Sequence, residues 1–191
     1  TIVHVSDFHI GSMLKSNKLL EKTRNEIRKT APDLLLFTGD MVNNFAYETI
    51  EFESILKQMA SHSPAYSILG NHDYGDYTSW ENAENKKSNL EAIISGLNKS
   101  GFRLLRNENI VIKRASDSIF LAGVENWGHP PFPQYARLEK AINGIPDSAF
   151  TILMTHDPAH WESKIKGKKN IELTLSGHTH GFQWGVKLGG I

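Results

Sequence analysis

Short apolar runs alternate with amphipathic segments along most of the chain. Seven runs, most of them apolar at nearly every position, predict strands that are covered on both faces. They span residues 2–5, 34–38, 65–69, 110–113, 119–123, 150–155 and 172–175. Between them, apolar residues recur at helical spacing in residues 19–27, 50–59, 90–97 and 138–142. The alternation predicts an α/β fold, with a single domain over residues 1–191.

Two segments interrupt this alternation. Residues 74–88 are polar and lack helical periodicity before Leu90, which predicts a surface excursion. Residues 125–135 contain Pro130, Pro131 and Pro133, and three prolines in four residues cannot lie within a central strand. We therefore expect a stiff loop there, in a position that could cover a site.

Composition narrows the possible chemistry. The 191 residues include no cysteine, which excludes thiol catalysis, cysteine-ligated zinc and disulfide bonds. Lys plus Arg and Asp plus Glu number 21 each, and this zero net charge argues against binding to extended nucleic acid. No stretch approaches the roughly 18 apolar residues of a membrane span, so we expect a soluble domain.

The chain begins directly with a predicted strand, so we expect any membrane attachment to involve flanking segments. The sequence leaves open whether the full-length protein is cytoplasmic or membrane-associated. It also leaves the oligomeric state open.

Five of the predicted strands are followed at once by oxygen or imidazole donors. These clusters are Ser6-Asp7-Phe8-His9, Thr38-Gly39-Asp40, Gly70-Asn71-His72-Asp73, Thr155-His156-Asp157 and Ser176-Gly177-His178-Thr179-His180. Sites in open α/β sheets form at the carboxyl ends of strands. We therefore expect the five clusters to converge, although they are far apart in the sequence.

The donor types in these clusters favour transition metals. The set combines three oxygen donors with four imidazoles: Asp7, Asp40, Asn71, His9, His156, His178 and His180. A mixed oxygen and nitrogen set suits Mn, Fe, Zn or Ni better than Ca. Seven donors are too many for one ion and suit two ions that share a carboxylate, for which Asp40 is the candidate bridge.

The ordered clusters resemble the sequence blocks of the calcineurin-like metallophosphoesterases, over nearly the whole chain. The resemblance implies a two-sheet α-β-β-α sandwich and the hydrolysis of phosphate monoesters or diesters by a dinuclear metal centre. The run Gly-His-Thr-His-Gly-Phe-Gln is similar to a bacterial branch of that family. This branch includes UDP-diacylglucosamine pyrophosphatases and related membrane-associated phosphodiesterases.

Carried over residue by residue, the resemblance implies two metal sites. One would comprise Asp7, His9, Asp40 and His180, and the other Asp40, Asn71, His156 and His178. A water or hydroxide held between the two ions would attack phosphorus. His72 would not be a ligand but a general acid that protonates the leaving oxygen, oriented by Asp73.

The chain departs from the family pattern in three places. Asn43 stands where the family often has an acid, and Phe182 stands where the bacterial branch usually has glycine. The chain also ends at Ile191, where family members usually add strands, so we expect an incomplete second sheet.

Two other functions stay open on this evidence. A relative of the same fold could act as a non-catalytic scaffold, although all seven donors and His72 are present. A nuclease acting on short nucleic acids is the second alternative. The expected substrate is a small phosphoester, for which the sequence predicts no binding residue, while Trp127, Phe132 and the remaining histidines are expected to be structural. His129 or His160 could instead border the pocket.

Overall fold

The first sheet consists of four parallel strands. In the computed structural model, which describes residues 1–13, 17–167 and 170–180, these are β1 (Ile2–Val5), β2 (Leu34–Phe37), β3 (Ala65–Ser67) and β4 (Phe102–Leu104). They lie in the order β1-β2-β3-β4. All four residues of β2 are buried, as its uninterrupted apolar run predicts for an inner strand.

The second sheet has the order β5-β6-β7-β8. Its strands are β5 (Glu108–Arg114), β6 (Asp117–Gly123), β7 (Thr151–Met154) and β8 (Leu173–Leu175). Strands β5 and β6 form an antiparallel hairpin, whereas β6, β7 and β8 run parallel to one another. The expectation that this sheet is incomplete concerns residues after 180, which lie outside the described residues.

Helices cover the outer faces of the two sheets. They are α1 (Lys18–Thr30), α2 (Glu53–Ala60), α3 (Ala83–Lys99) and α4 (Leu138–Ala141). Residues of α1, α2 and α3 join one buried cluster with Leu35 and Phe37 of the first sheet. Residues of α4 join another cluster with Ala122 and Leu153 of the second sheet.

A third buried cluster lies between the sheets. It joins Leu36 of β2 to Leu121 of β6 and to Ile152 and Met154 of β7. The predicted α-β-β-α sandwich is therefore confirmed, with side chains of both sheets meeting in its centre. No helix within the described parts of the chain is long and apolar enough to cross a membrane.

Most predicted elements are present, with two differences. Strand β4 was not predicted, because it contains only three residues and shows no periodicity, although Phe102 is fully buried. The predicted excursion at residues 74–88 is wrong in its second half, because α3 begins at Ala83. The Asn82 side chain caps this helix by accepting a hydrogen bond from the Asn85 backbone N–H, and its exposed first turns need no apolar periodicity.

Candidate metal centre

Four of the five turns that carry the predicted donors are joined in pairs by backbone hydrogen bonds beyond the ends of the strands. In the first sheet, the N–H groups of Asp7 and His9 donate to the carbonyls of Gly39 and Asp40. In the second sheet, the Gly177 N–H donates to the His156 carbonyl at 3.0 Å. These bonds hold the turns together in pairs at the carboxyl edge of each sheet.

Contacts between the sheets bring the pairs together. His156 Nδ1 lies 2.7 Å from the Thr38 carbonyl oxygen, and the His178 backbone N–H donates to both carboxylate oxygens of Asp7 at 3.0 and 3.1 Å. A Cβ atom at Gly177 would collide with the Asp7 carboxylate, so only glycine permits this approach. The candidate centre therefore lies at the seam between the two sheets.

Backbone strain is concentrated at the donors. Five of the seven have positive φ angles between 43° and 71°: Asp7, His9, Asp40, His178 and His180. Only three other non-glycine residues in the described ranges share this left-handed conformation. Such a conformation is uncommon for residues with a side chain and tends to accumulate at functional sites.

Asp40 occupies the middle of the cluster. Its Oδ2 atom lies 3.4 Å from His9 Nε2 and 3.1 Å from His156 Nε2, while its Oδ1 atom accepts the His72 backbone N–H at 2.9 Å. Burial opposes ionisation of this carboxyl group, but the contacts with His156 and His72 hold the pKa of Asp40 below its usual value. Asp40 is thus a buried carboxylate with imidazole nitrogens on both sides.

The remaining donors extend the cluster in two directions. On one side, His180 Nε2 lies 3.1 Å from His9 Nε2 and 3.4 Å from Asp7 Oδ1. On the other side, His178 Nδ1 lies 2.9 Å from Asn71 Oδ1, and its ring centroid lies 5.2 Å from that of His156. The structure therefore brings all seven predicted donors together.

The surroundings of His156 show whether these residues fit a metal ion. The residue is fully buried, and its Nε2 atom makes no hydrogen bond of good geometry within the described residues, despite its proximity to Asp40. With Nδ1–H donated to the Thr38 carbonyl, the Nε2 atom faces the cluster, an arrangement typical of metal-ligating histidines. The donors at this edge of the sheets fit transition-metal ligation.

Proton binding and metal binding compete at these imidazoles. Burial alone would lower the pKa of His156, but the contacts with Asp40, Asp7 and the Thr38 carbonyl together outweigh it and raise the pKa to about 9. Burial lowers the pKa of His9 and of His178, assisted in each case by a neighbouring histidine. His9 and His178 are therefore already biased towards the neutral form that a ligand needs.

His72 lies beside this cluster, but the prediction that Asp73 orients its ring is wrong. His72 Nδ1 lies 2.8 Å from the Asn43 carbonyl oxygen, so a backbone group holds the ring. The departure from the family at Asn43 does not affect this contact, because the side chain of Asn43 is not involved in it. His72 also belongs to a compact group of possible ligands with His9 and Asp40, so proximity alone does not separate it from the metal ligands.

Asp73 is a fully buried structural anchor. Its carboxylate accepts backbone N–H groups from two turns, at 2.9 to 3.3 Å: those of Asp40, Met41, Val42 and Gly70. Burial and the nearby Asp40 carboxylate raise the pKa of Asp73 to about 7, although the N–H donors oppose this rise. The carboxylate thus joins the turn after β2 to the turn after β3.

Replacing Asp73 with Ala is expected to lower the free energy of unfolding by about 3–5 kcal/mol. The substitution leaves four backbone N–H groups without their acceptor, and one unpaired buried group alone costs about 1–3 kcal/mol. Urea unfolding of the metal-free protein at pH 8 measures the loss. Asp117→Ala, at an exposed position, is the control, and an unchanged midpoint for Asp73→Ala would contradict the anchoring role.

Tyr77 lies outside every sequence motif, so its place beside the centre could not be predicted from the sequence. Tyr77 stacks on His72 with ring centroids 4.5 Å apart, and its hydroxyl accepts the Asn71 side-chain N–H at 2.9 Å. This bond leaves Asn71 Oδ1 directed to the other donors. The proline-rich loop borders the centre, since its residues His129 and Phe132 line a cavity together with Asn71.

The same loop also carries Trp127, which packs on His160. Trp127 stacks on His160 with ring centroids 4.8 Å apart, and the Thr155 hydroxyl lies 3.0 Å from His160 Nδ1. Both residues also line a second cavity, together with Leu138 and Lys164, so the structural role expected of them stays a prediction. His129 instead borders the cavity beside the centre, and Phe182 lies outside the described residues.

A two-sheet sandwich that collects carboxylate, amide and imidazole donors at its strand ends is suited to binding transition-metal ions. Residues 1–182 match the family model of the calcineurin-like phosphoesterases. The chain belongs to that family, whose members are hydrolytic phosphoesterases. The closer resemblance to one bacterial branch stays a prediction.

Two curated relatives are longer than this chain and have the word metallophosphoesterase in their names. A transmembrane protein with metallophosphoesterase domain from Danio rerio is 28% identical over 188 residues, covering 95% of this chain and 40% of its own length. An uncharacterized metallophosphoesterase from Aquifex aeolicus is 27% identical, covering 94% and 62%. The chain thus spans about half the length of these relatives.

A solved structure supports the fold. The protein TT1561 of Thermus thermophilus aligns with a TM-score of 0.51 and 16% identity, covering 92% of this chain and 80% of its own. At this identity the similarity concerns the fold alone.

Proposed function

We propose that this chain hydrolyses small phosphate monoesters or diesters at a centre of two transition-metal ions, Mn, Fe, Zn or Ni. The observation that carries the proposal is the position of Asp40 Oδ2 between His9 Nε2 and His156 Nε2, at 3.4 and 3.1 Å. Each of these imidazoles belongs to a separate group of donors. A carboxylate that faces both groups is suited to bridging the two ions of a dinuclear centre.

The two groups would each hold one ion. Asp7, His9, Asp40 and His180 would hold the first, and Asp40, Asn71, His156 and His178 the second. When bound, such ions lower the pKa of water enough to supply a nucleophile and stabilise charge on phosphate oxygens.

His72 is the proposed general acid. Its Nδ1–H donates to the Asn43 carbonyl, so the proton that the ring can transfer is on Nε2. Stacking on Tyr77 and an edge contact with His9, at 4.5 and 4.7 Å between centroids, fix the plane of the ring. Protonation of the leaving oxygen by Nε2 would let an alkoxide depart as an alcohol.

The chain is expected to lose phosphoester hydrolysis on metal removal and to regain it with at least one of Mn²⁺, Fe²⁺, Zn²⁺ or Ni²⁺. The reason is that the bound ions would lower the pKa of water enough to supply the attacking nucleophile, so hydrolysis should depend on them. The test is a panel of phosphate monoesters, diesters and short oligonucleotides, with metal content measured by elemental analysis.

Two results would contradict the proposal. A chain that contains its metals but hydrolyses no member of the panel would support the scaffold alternative. Cleavage of the oligonucleotides in strong preference to the small esters would support the nuclease alternative.

A further inference from the structure

Tyr77 touches two members of the candidate centre with different parts of its side chain. Its hydroxyl accepts the Asn71 side-chain N–H at 2.9 Å. Its ring stacks on His72 with centroids 4.5 Å apart and an angle of 16° between the ring planes. Asn71 is a candidate ligand of the second ion, whereas His72 is the proposed general acid. One residue thus connects two groups whose tasks differ.

Neighbouring side chains hold Tyr77 in place at the edge of the centre. Asp76, directly before it, forms an ion pair with Lys86 of α3, which ties this segment to the helix. Phe132 of the proline-rich loop lies next to the Tyr77 ring, with centroids 5.3 Å apart. Tyr77 is itself 44% exposed and so is not part of the core. Its ordered contacts therefore bear on the centre more than on the stability of the fold.

The Tyr77 hydroxyl satisfies the half of the Asn71 amide that a metal ion cannot use. Asn71 is 7% exposed, and its Oδ1 atom lies 2.9 Å from His178 Nδ1, on the side of the other donors. Only the amide oxygen can ligate a cation, because the –NH₂ group is a donor and needs an acceptor of its own. The structure provides that acceptor in the Tyr77 hydroxyl.

Loss of the hydroxyl would leave a buried N–H group of Asn71 without its acceptor. An unpaired buried donor is costly, and rotation of the amide about its last side-chain bond relieves that cost. The same rotation takes Oδ1 away from His178 and the other donors. Removal of a hydrogen-bond partner of a metal ligand typically weakens metal binding by about 10- to 100-fold.

The Tyr77 ring acts on His72 through a separate contact. His72 Nδ1 is held by the Asn43 carbonyl at 2.8 Å, a single hydrogen bond about which the imidazole can still turn. Tyr77 covers one face of the imidazole, whereas His9 meets it only by an edge contact at 4.7 Å between centroids. The direction of Nε2 therefore depends on the Tyr77 ring and not on the Tyr77 hydroxyl.

Resting on the proposed phosphoester hydrolysis, we propose that Tyr77 is a positioning residue with two separable roles. Its hydroxyl keeps Asn71 Oδ1 available to the second ion. Its ring keeps His72 Nε2 directed towards the leaving oxygen. Tyr77→Phe removes the first role alone, whereas Tyr77→Leu removes both.

Titration of the metal-free protein with Mn²⁺, with the free ion followed by electron paramagnetic resonance, tests the first role without any substrate. The unsubstituted protein is expected to bind two ions per chain. Tyr77→Phe should bind one ion with unchanged affinity and the other about 10- to 100-fold more weakly. In a Mn²⁺-soaked crystal of this variant, the anomalous peak next to His156 and His178 should be the weakened one. Tyr47→Phe, at a position 66% exposed, is the control and should bind both ions normally.

Tyr77→Leu tests the second role at Mn²⁺ concentrations that fill both sites. Its kcat/KM should fall about tenfold further on an alkyl ester than on a nitrophenyl ester, because only the alkyl ester needs a proton from a correctly directed His72. Tyr77→Phe keeps the aromatic ring and should therefore keep the ratio of the unsubstituted protein. A merely structural role of Tyr77 would lower the activity on both esters equally.

Unchanged Mn²⁺ affinity at both sites in Tyr77→Phe would overturn the first role. A ratio of alkyl to nitrophenyl activity in Tyr77→Leu that equals that of the unsubstituted protein would overturn the second. Either result leaves phosphoester hydrolysis intact, because the panel of esters measures that activity independently. Fewer than two ions in the unsubstituted protein would instead contradict the dinuclear centre, and this inference with it.

Discussion

Asp40→Asn is expected to remove both metal ions and to lower kcat/KM by about 10³-fold or more. The Asp40 carboxylate faces both groups of donors through its Oδ2 atom. Because its Oδ1 atom accepts the His72 backbone N–H, the amide oxygen of Asn would keep that position and the –NH₂ group would take the place of Oδ2. An –NH₂ group cannot ligate a cation, and losing about 4 kcal/mol of transition-state stabilisation corresponds to about 10³ in rate.

The measurement is elemental analysis of the variant together with kcat/KM on its best ester. Asp117→Asn, at an exposed position, is a matched control that should keep both metals and full activity. Two ions per chain at full occupancy in Asp40→Asn would show that Asp40 does not bridge them.

His72→Ala is expected to keep both ions and to lose activity in proportion to how poor the leaving group is. General acid catalysis typically contributes about 10² to 10⁴ in rate when the leaving oxygen needs a proton. The loss should therefore approach that range for alkyl esters. It should be much smaller for nitrophenyl esters, whose oxygen departs as a stable anion.

The variant is tested by kcat/KM across esters of graded leaving-group pKa, with metal content measured in parallel. His62→Ala, an exposed histidine outside the sequence blocks, serves as the control. An equal loss across the series would contradict general acid catalysis. Loss of an ion would instead show that His72 is a metal ligand. The proximity of His72 to His9 and Asp40 is compatible with that alternative.

The sequence predicted the convergence of the donors because that convergence follows from topology. Asp7, Asp40 and Asn71 come directly after parallel strands, and parallel strands present their carboxyl ends at one edge. The alternation of elements predicted the α/β class, whereas the two-sheet sandwich followed only from the resemblance to the family. Strand β4 escaped prediction because three residues are too few to show a period.

The partners of polar side chains could not be predicted in the same way. The family resemblance implied that Asp73 orients His72, whereas the Asp73 carboxylate accepts N–H groups of a turn more than 30 residues earlier. Tyr77 and Asn126 lie in segments without periodicity or motif, and only tertiary folding brings them to one cavity. Such contacts depend on side-chain geometry that spacing does not encode.

Anomalous scattering from a Mn²⁺-soaked crystal tests the central claim of a dinuclear centre most directly. The proposed ligand sets predict two peaks per chain on either side of the Asp40 carboxylate, one next to His9 and His180 and the other next to His156 and His178. A single peak, or peaks that leave Asp40 uncoordinated, would contradict the account.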